Sequence, residues 1–219
     1  MEDEESKVAD SRDMVGAHDA FRLHFGRLPE TVRGVAAGDV ARASVVGEHT
    51  ILLADLLSGH HSSEDDHVWP KLHERCPDRI QPLVVTMESQ HEHLHIDLLN
   101  LAATAGRWKE SGGAADRETL ADIAQRLDPA LREHLALEEA QILRLIDEYL
   151  TDEEWKAAVA ASAEKLTPER GALALGMVLD TASEEMQTLI REGAPEEFWR
   201  DVRPAALGAW QAHAKQVYG

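Results

Sequence analysis

His60-His61-Ser62-Ser63-Glu64-Asp65-Asp66-His67-Val68-Trp69-Pro70 is the stretch on which the fold turns. It continues a run in which Val45, His49, Leu52, Leu53, Leu56, His60, Glu64 and His67 recur at three- and four-residue steps. Such steps trace one face of an α-helix. His60 and Glu64 therefore take positions where an amphipathic helix needs core residues. They lie about one turn apart, one above the other on the same face. The helix is predicted from about 39 to 73. Gly59 lowers its propensity, and Pro70 ends or kinks it near Trp69.

The segments on either side repeat the pattern. A helix over about 12–28 has Met14, His18, Phe21, Phe25 and Leu28 on one face, with Pro29 as its end or a break. After a turn at Cys76-Pro77-Asp78, a third helix over about 79–105 aligns Val84, Met87, His91, His95 and Leu98. Glu110-Ser111-Gly112-Gly113 reads as a loop. A fourth stretch over about 116–150, which Asp128-Pro129 divides, has Leu131, His134, Leu135, Glu138, Ile142, Leu145, Ile146 and Tyr149 inside.

Each of the four helices thus carries histidine in its apolar phase: His18, His60 with Glu64, His91 with His95, and His134 with Glu138. Burying such groups unpaired is costly. A cation removes that cost, because it satisfies imidazole lone pairs and carboxylates together. The donor set suits iron, zinc or manganese, and no thiolate set is available. The ligands exceed the four of a closed zinc site and fit two ions sharing carboxylates, with a position open for a small ligand. A structural zinc is the plainer alternative. Another is a ferritin-like carboxylate site, for which Glu64-x-x-His67 and Glu88-x-x-His91 supply the short motif, but on consecutive helices and without an inward Glu on the first.

The remaining histidines read otherwise. His49 lies about 16 Å along the axis from His60, too far for the same centre. His67 is two turns past His60. His61 takes the place of His60 if the helix register slips. His93 falls on the polar face, and His24, His73 and His213 read as surface residues.

The chain has 219 residues, enough for a core without disulfides, and 43% of them are hydrophobic. Its net charge of -19 repels phosphate backbones, which excludes nucleic acid as a natural partner. Cys76 is the single cysteine, which fits a reducing cytoplasm. No apolar run is long enough to span a bilayer, and the acidic residues 1–10 read as a disordered tail rather than a signal peptide. Beyond residue 150 the pattern changes to shorter helices. Thr151-Asp152-Glu153-Glu154 and Thr181-Ala182-Ser183-Glu184 read as capping boxes, Thr167-Pro168 as a helix start, and Pro195 opens a last helix with Phe198, Trp199, Leu207 and Trp210.

The residues 60–70, Gln90-His91-Glu92-His93-Leu94-His95, His134-Leu135-Ala136-Leu137-Glu138-Glu139 and the lone His18 together resemble the hemerythrin-like (HHE cation-binding) family. The resemblance covers about 12–150. It implies an all-α, antiparallel up-down four-helix bundle, with 151–219 as a helical extension similar to that of actinobacterial members. It implies His18, His60, Glu64, His91, His95, His134 and Glu138 as ligands of two non-haem irons bridged by oxo and carboxylate groups. In the oxygen carriers of the family the last carboxylate is an Asp five residues after the His. Here Glu139 stands at five and Glu138 at four, and the hydrophobic phase favours Glu138. The implied role is binding or sensing of dioxygen, nitric oxide or peroxide behind an apolar wall of Phe21, Phe25, Leu56, Met87 and Leu98. The alternative is a di-iron enzyme with catalase-like or oxidase activity, with His67 or Tyr149 as proton donor. Oligomeric state is left open by these residues.

Overall fold

The computed structural model describes residues 7–219. Its described residues fold into helices α1 (Arg12–Arg33), α2 (Val40–Ser63), α3 (Trp69–Arg75), α4 (Pro77–Ser111), α5 (Ala114–Gln141), α6 (Leu143–Tyr149), α7 (Asp152–Ser162), α8 (Pro168–Thr181), α9 (Glu184–Gly193) and α10 (Arg203–Tyr218). A π-helical turn, Glu64–Val68, joins α2 to α3, and a second, Phe198–Val202, leads into α10.

α2 packs on α4, α4 on α5, α5 on α1 and α1 on α2, which closes a four-helix ring. The α1–α2 and α4–α5 connections meet at one end, where the Gly38 N–H donates to the Gly112 carbonyl at 2.9 Å. Helices joined by such short connections run antiparallel. Gly112 has φ 60°, a left-handed cap natural to glycine, and its N–H closes α4 on the Trp108 carbonyl. The all-α bundle expected from the sequence is the observed fold.

Prolines mark fewer breaks than expected. α1 runs through Pro29 to Arg33, and α5 runs through Pro129. In each case fully buried residues follow or flank the proline, Leu28 and Val32 in α1 and Leu127 and Leu131 in α5. Their burial outweighs one lost backbone bond. Pro70 does disturb its helix, and the π turn before it absorbs the change: the Trp69 N–H reaches the Glu64 carbonyl.

The apolar core is split in two. One cluster contains Phe21, Phe25, Leu57, Leu94, Leu98 and Leu131. The other contains Met14, Val68, Met87, Ile142 and Ile146. The layer between them on the bundle helices is occupied by the histidines and glutamates.

The C-terminal segment covers the α1/α2 side. α8 pairs with α10 and packs on α1, α7 packs on α2, and Met177 and Trp210 join the first core cluster. Arg42 of α2 grips the carbonyls of Gln216 and Val217 at the end of α10. The Thr151–Glu154 capping box forms in both directions, and Thr167 caps α8 as expected. The box expected at Thr181 moves: Thr181 ends α8 by bonding back to the Met177 carbonyl, and Ser183 caps α9 on the Met186 N–H at 3.1 Å.

In the sequence, residues 1–10 read as a disordered tail. Residues 1–6 lie outside the described residues. Residues 7–9 are tied down: the Ala9 N–H donates to the Leu150 carbonyl and Asp152 N–H to the Lys7 carbonyl. No described helix is long and apolar enough to cross a membrane.

Candidate metal centre

α2 lies between α1 and α4, and the consecutive residues His60 and His61 turn to different neighbours. His60 faces His18 of α1, with their Nε2 atoms 3.2 Å apart. His61 stacks on His91 of α4 with ring centroids 4.2 Å apart, and His134 of α5 stands edge-on to both. Among the described residues this yields two groups with converging donor atoms, His18–His60–Glu64–Glu138 and His61–His91–His134.

The two glutamates span them. Glu64 Oε1 lies 3.1 Å from His60 Nε2, and Oε2 lies 3.4 Å from His91 Nε2. Glu138 Oε2 lies 3.5 Å from His18 Nε2 and 3.7 Å from His134 Nε2. None of these glutamate approaches has the alignment of a hydrogen bond. All four oxygens of Glu64 and Glu138, and Nε2 of His61, His91 and His134, are buried without a hydrogen-bond partner. Orphaned buried polar atoms are costly, and here they all converge on one layer. That is the pattern expected of a cation site.

The opposite ring nitrogens are anchored. His18 Nδ1 lies 2.9 Å from Glu139 Oε1, His91 Nδ1 is 2.8 Å from Asp65 Oδ1, and His134 Nδ1 is 3.2 Å from Gln90 Oε1. A carboxylate oxygen only accepts, so each Nδ1 facing one carries the proton and leaves Nε2 a bare lone pair aimed inward. Asp65 is itself held by the Trp69 indole N–H at 2.9 Å, and Glu139 by Arg22 at 2.8 Å.

The electrostatics agree. Burial pushes the Glu64 carboxyl well above its usual range, and the neighbouring Glu138 adds to the rise. Burial, followed by the other imidazoles, holds His60 and His61 well below the usual imidazole range. His134 is drawn down to about 3, by burial first and then by His91 and His18. Neutral imidazole is the form that ligates, and a cation among them reverses the pressure on Glu64.

Most of the residues expected from the sequence meet here: His18, His60, Glu64, His91, His134 and Glu138. His95 does not. It is exposed and lines a cleft between α2 and α4, while Leu94 and Leu98 take the inward positions. His61 stands inside instead. Glu88 is exposed, so the ferritin-like pairing of Glu88 with His91 does not form.

A model of the hemerythrin HHE cation binding domain matches residues 9–146. The chain belongs to this family. The match spans both groups of donors and ends within α6, so that α7 to α10 lie beyond it. No curated protein and no solved structure matches the chain. As a hemerythrin HHE domain it is a cation-binding protein, and the His/Glu layer is where its residues fit a cation.

A second buried cluster lies outside this layer. Tyr218 of α10 places its hydroxyl 2.8 Å from His24 Nδ1 and 2.8 Å from His49 Nε2, and His49 Nδ1 lies 3.1 Å from His213 Nε2. Trp210 packs on His24 with centroids 4.9 Å apart. His24 is therefore buried and His213 half-buried, contrary to the surface positions expected, because α10 covers that face of α1 and α2.

Proposed function

We propose that this chain holds two non-haem irons in the His/Glu layer and binds dioxygen, nitric oxide or peroxide there. The observation that carries the reading is Glu64, which turns one oxygen toward an imidazole of each donor group. A carboxylate so placed suits a bridge between two ions rather than a ligand of one. Glu138 sets a single oxygen, Oε2, between His18 and His134, one imidazole of each group. Two ions with mixed imidazole and carboxylate donors fit iron better than a closed structural zinc, which takes four ligands. Iron in such a site supplies a redox-active position for a small exogenous ligand.

The chain's own residues hold the site dry and fixed. The apolar clusters on either side exclude water, and Glu139, Asp65 and Gln90 fix the imidazole orientations. One group has three imidazoles and the other two, so with both carboxylates shared between the ions the His18–His60 side has the fewer ligands. Binding or sensing is favoured over turnover because the expected proton donors are elsewhere. The Tyr149 hydroxyl accepts from Arg79 at 2.9 Å, and His67 lines an outer cleft. A reducing cytoplasm would suit both the iron and the free, buried Cys76.

The test is addition of nitric oxide to reduced, iron-loaded protein, followed by optical absorption, with peroxide loss measured beside it. A stoichiometric nitrosyl spectrum with peroxide loss no faster than that of buffer-held iron supports binding. Peroxide loss many-fold faster would move the reading to the enzymatic alternative. No spectral change with nitric oxide would overturn it.

A further inference from the structure

The His18–His60 side of the centre opens on a cavity of about 100 Å³. Met14, Ala17 and Val68 form one part of its mostly apolar wall, and Trp155, Ala158 and Val159 of α7 form another, with Asp13, Ser63 and Ser162 as its polar edge and the largely buried His60 and buried Glu64 also lining it. α7 is not free to drift. Ser63 Oγ donates to the Ala158 carbonyl, the Trp155 indole N–H donates to Asp13 Oδ1 at 3.0 Å, and the Arg75 guanidinium holds Glu154 at 2.6 Å. Gly59 permits this approach, since a Cβ there would meet the Ser162 carbonyl oxygen at 2.6 Å.

A second opening onto the layer is different in kind. The cleft between α2 and α4, of about 500 Å³, reaches the outer edges of His61 and His91 past Asp65, Glu88, Glu92 and His95. Acidic walls attract cations and repel anions. An apolar cavity near 150 Å³ stays dry and accepts xenon or benzene, whereas a hydrated ion would lose its shell on entering one.

We propose that the cavity under α7 is the access port through which small uncharged ligands reach the centre, and that the C-terminal segment, through Trp155, Ala158 and Val159, forms its gate wall. The class of ligand is a neutral diatomic molecule, such as dioxygen or nitric oxide. This rests on the di-iron reading for its kinetic test, but the cavity itself is testable without metal.

Two measurements on the full-length protein test it. Xenon is bound to metal-free protein and followed by xenon NMR, and nitric oxide association with iron-loaded protein is followed by stopped flow. Ala158→Phe fills the cavity, Val159→Trp blocks its half-exposed rim should the first variant fail to fold, and Glu92→Gln alters only the acidic cleft. The port predicts xenon uptake by the unaltered chain, loss of that uptake in the blocked variant, and nitric oxide association slowed ten-fold or more with iron content unchanged. Glu92→Gln leaves both readouts as they were. Undiminished nitric oxide association in a folded, iron-loaded blocked variant overturns the proposal, as does an unaltered chain that takes up no xenon. A chain that takes up xenon but no iron overturns the di-iron reading instead.

Discussion

His18 and Glu139 are joined by a hydrogen bond of 2.9 Å between Nδ1 and Oε1, and this bond separates the roles of the two adjacent glutamates. Glu138 is fully buried and points its bare oxygens into the layer. Glu139 sits one residue on, part-exposed, and orients the imidazole from behind while pairing with Arg22. The two variants should therefore differ in kind. Glu138→Ala is expected to abolish loading of the shared site. Glu139→Ala is expected to keep the fold and weaken metal affinity about 10- to 100-fold, as loss of an orienting partner does. Competitive metal titration distinguishes them.

His61 and His95 form the second contrast. His61→Ala removes a buried donor that stacks on His91, and metal content per chain should drop. His95→Ala alters an exposed side chain in the acidic cleft, and metal content should be unchanged. Elemental analysis of both variants, purified alike, checks this. Equal losses would return His95 to the site.

The bundle, the helical phases and the donor layer were legible because periodicity reports burial directly. Met14, His18, Phe21 and Phe25 follow one stripe, and the structure buries all of them. His61 was missed as a separate donor because neighbours on a helix point about 100° apart, and a single stripe admits only one of them. α2 has partners on two sides, so its buried arc is wide enough for His60 and His61 together. His95 was drawn in by its four-residue step from His91. The stripe that α4 buries, Met87, His91, Leu94, Leu98 and Leu101, advances by three and four in turn and passes it by. The burial of His24 was not legible, because its cover is Tyr218 and Trp210, supplied by the far end of the chain.

Tyr218 bridges His24 and His49 through one hydroxyl. Tyr218→Phe keeps the ring and leaves buried imidazole nitrogens unpaired, which should cost about 1–3 kcal/mol. Denaturant unfolding of the metal-free protein measures it. Iron content should not change, since the donor layer is untouched.

The same cluster sets an acid limit. Burial holds His24 down to about 4 from 6.5, with Arg27 adding to the effect. A depressed imidazole contributes stability that is present above its unfolded value and is lost as pH falls toward its folded one. The metal-free protein should therefore lose stability between pH 6.5 and 4, by at most ~1.4 kcal/mol per pH unit for this group. Melting temperature against pH, compared with His24→Phe, should show a shallower acid slope in the variant over that window.

The proposed function stands on Glu64 and Glu138 being shared between two metal ions within one layer. Iron per chain on protein expressed with iron, determined beside its optical spectrum, tests it most directly. Two irons per chain and absorption near the ultraviolet edge characteristic of a bridged pair are the expected result. One zinc per chain with a featureless spectrum would contradict it.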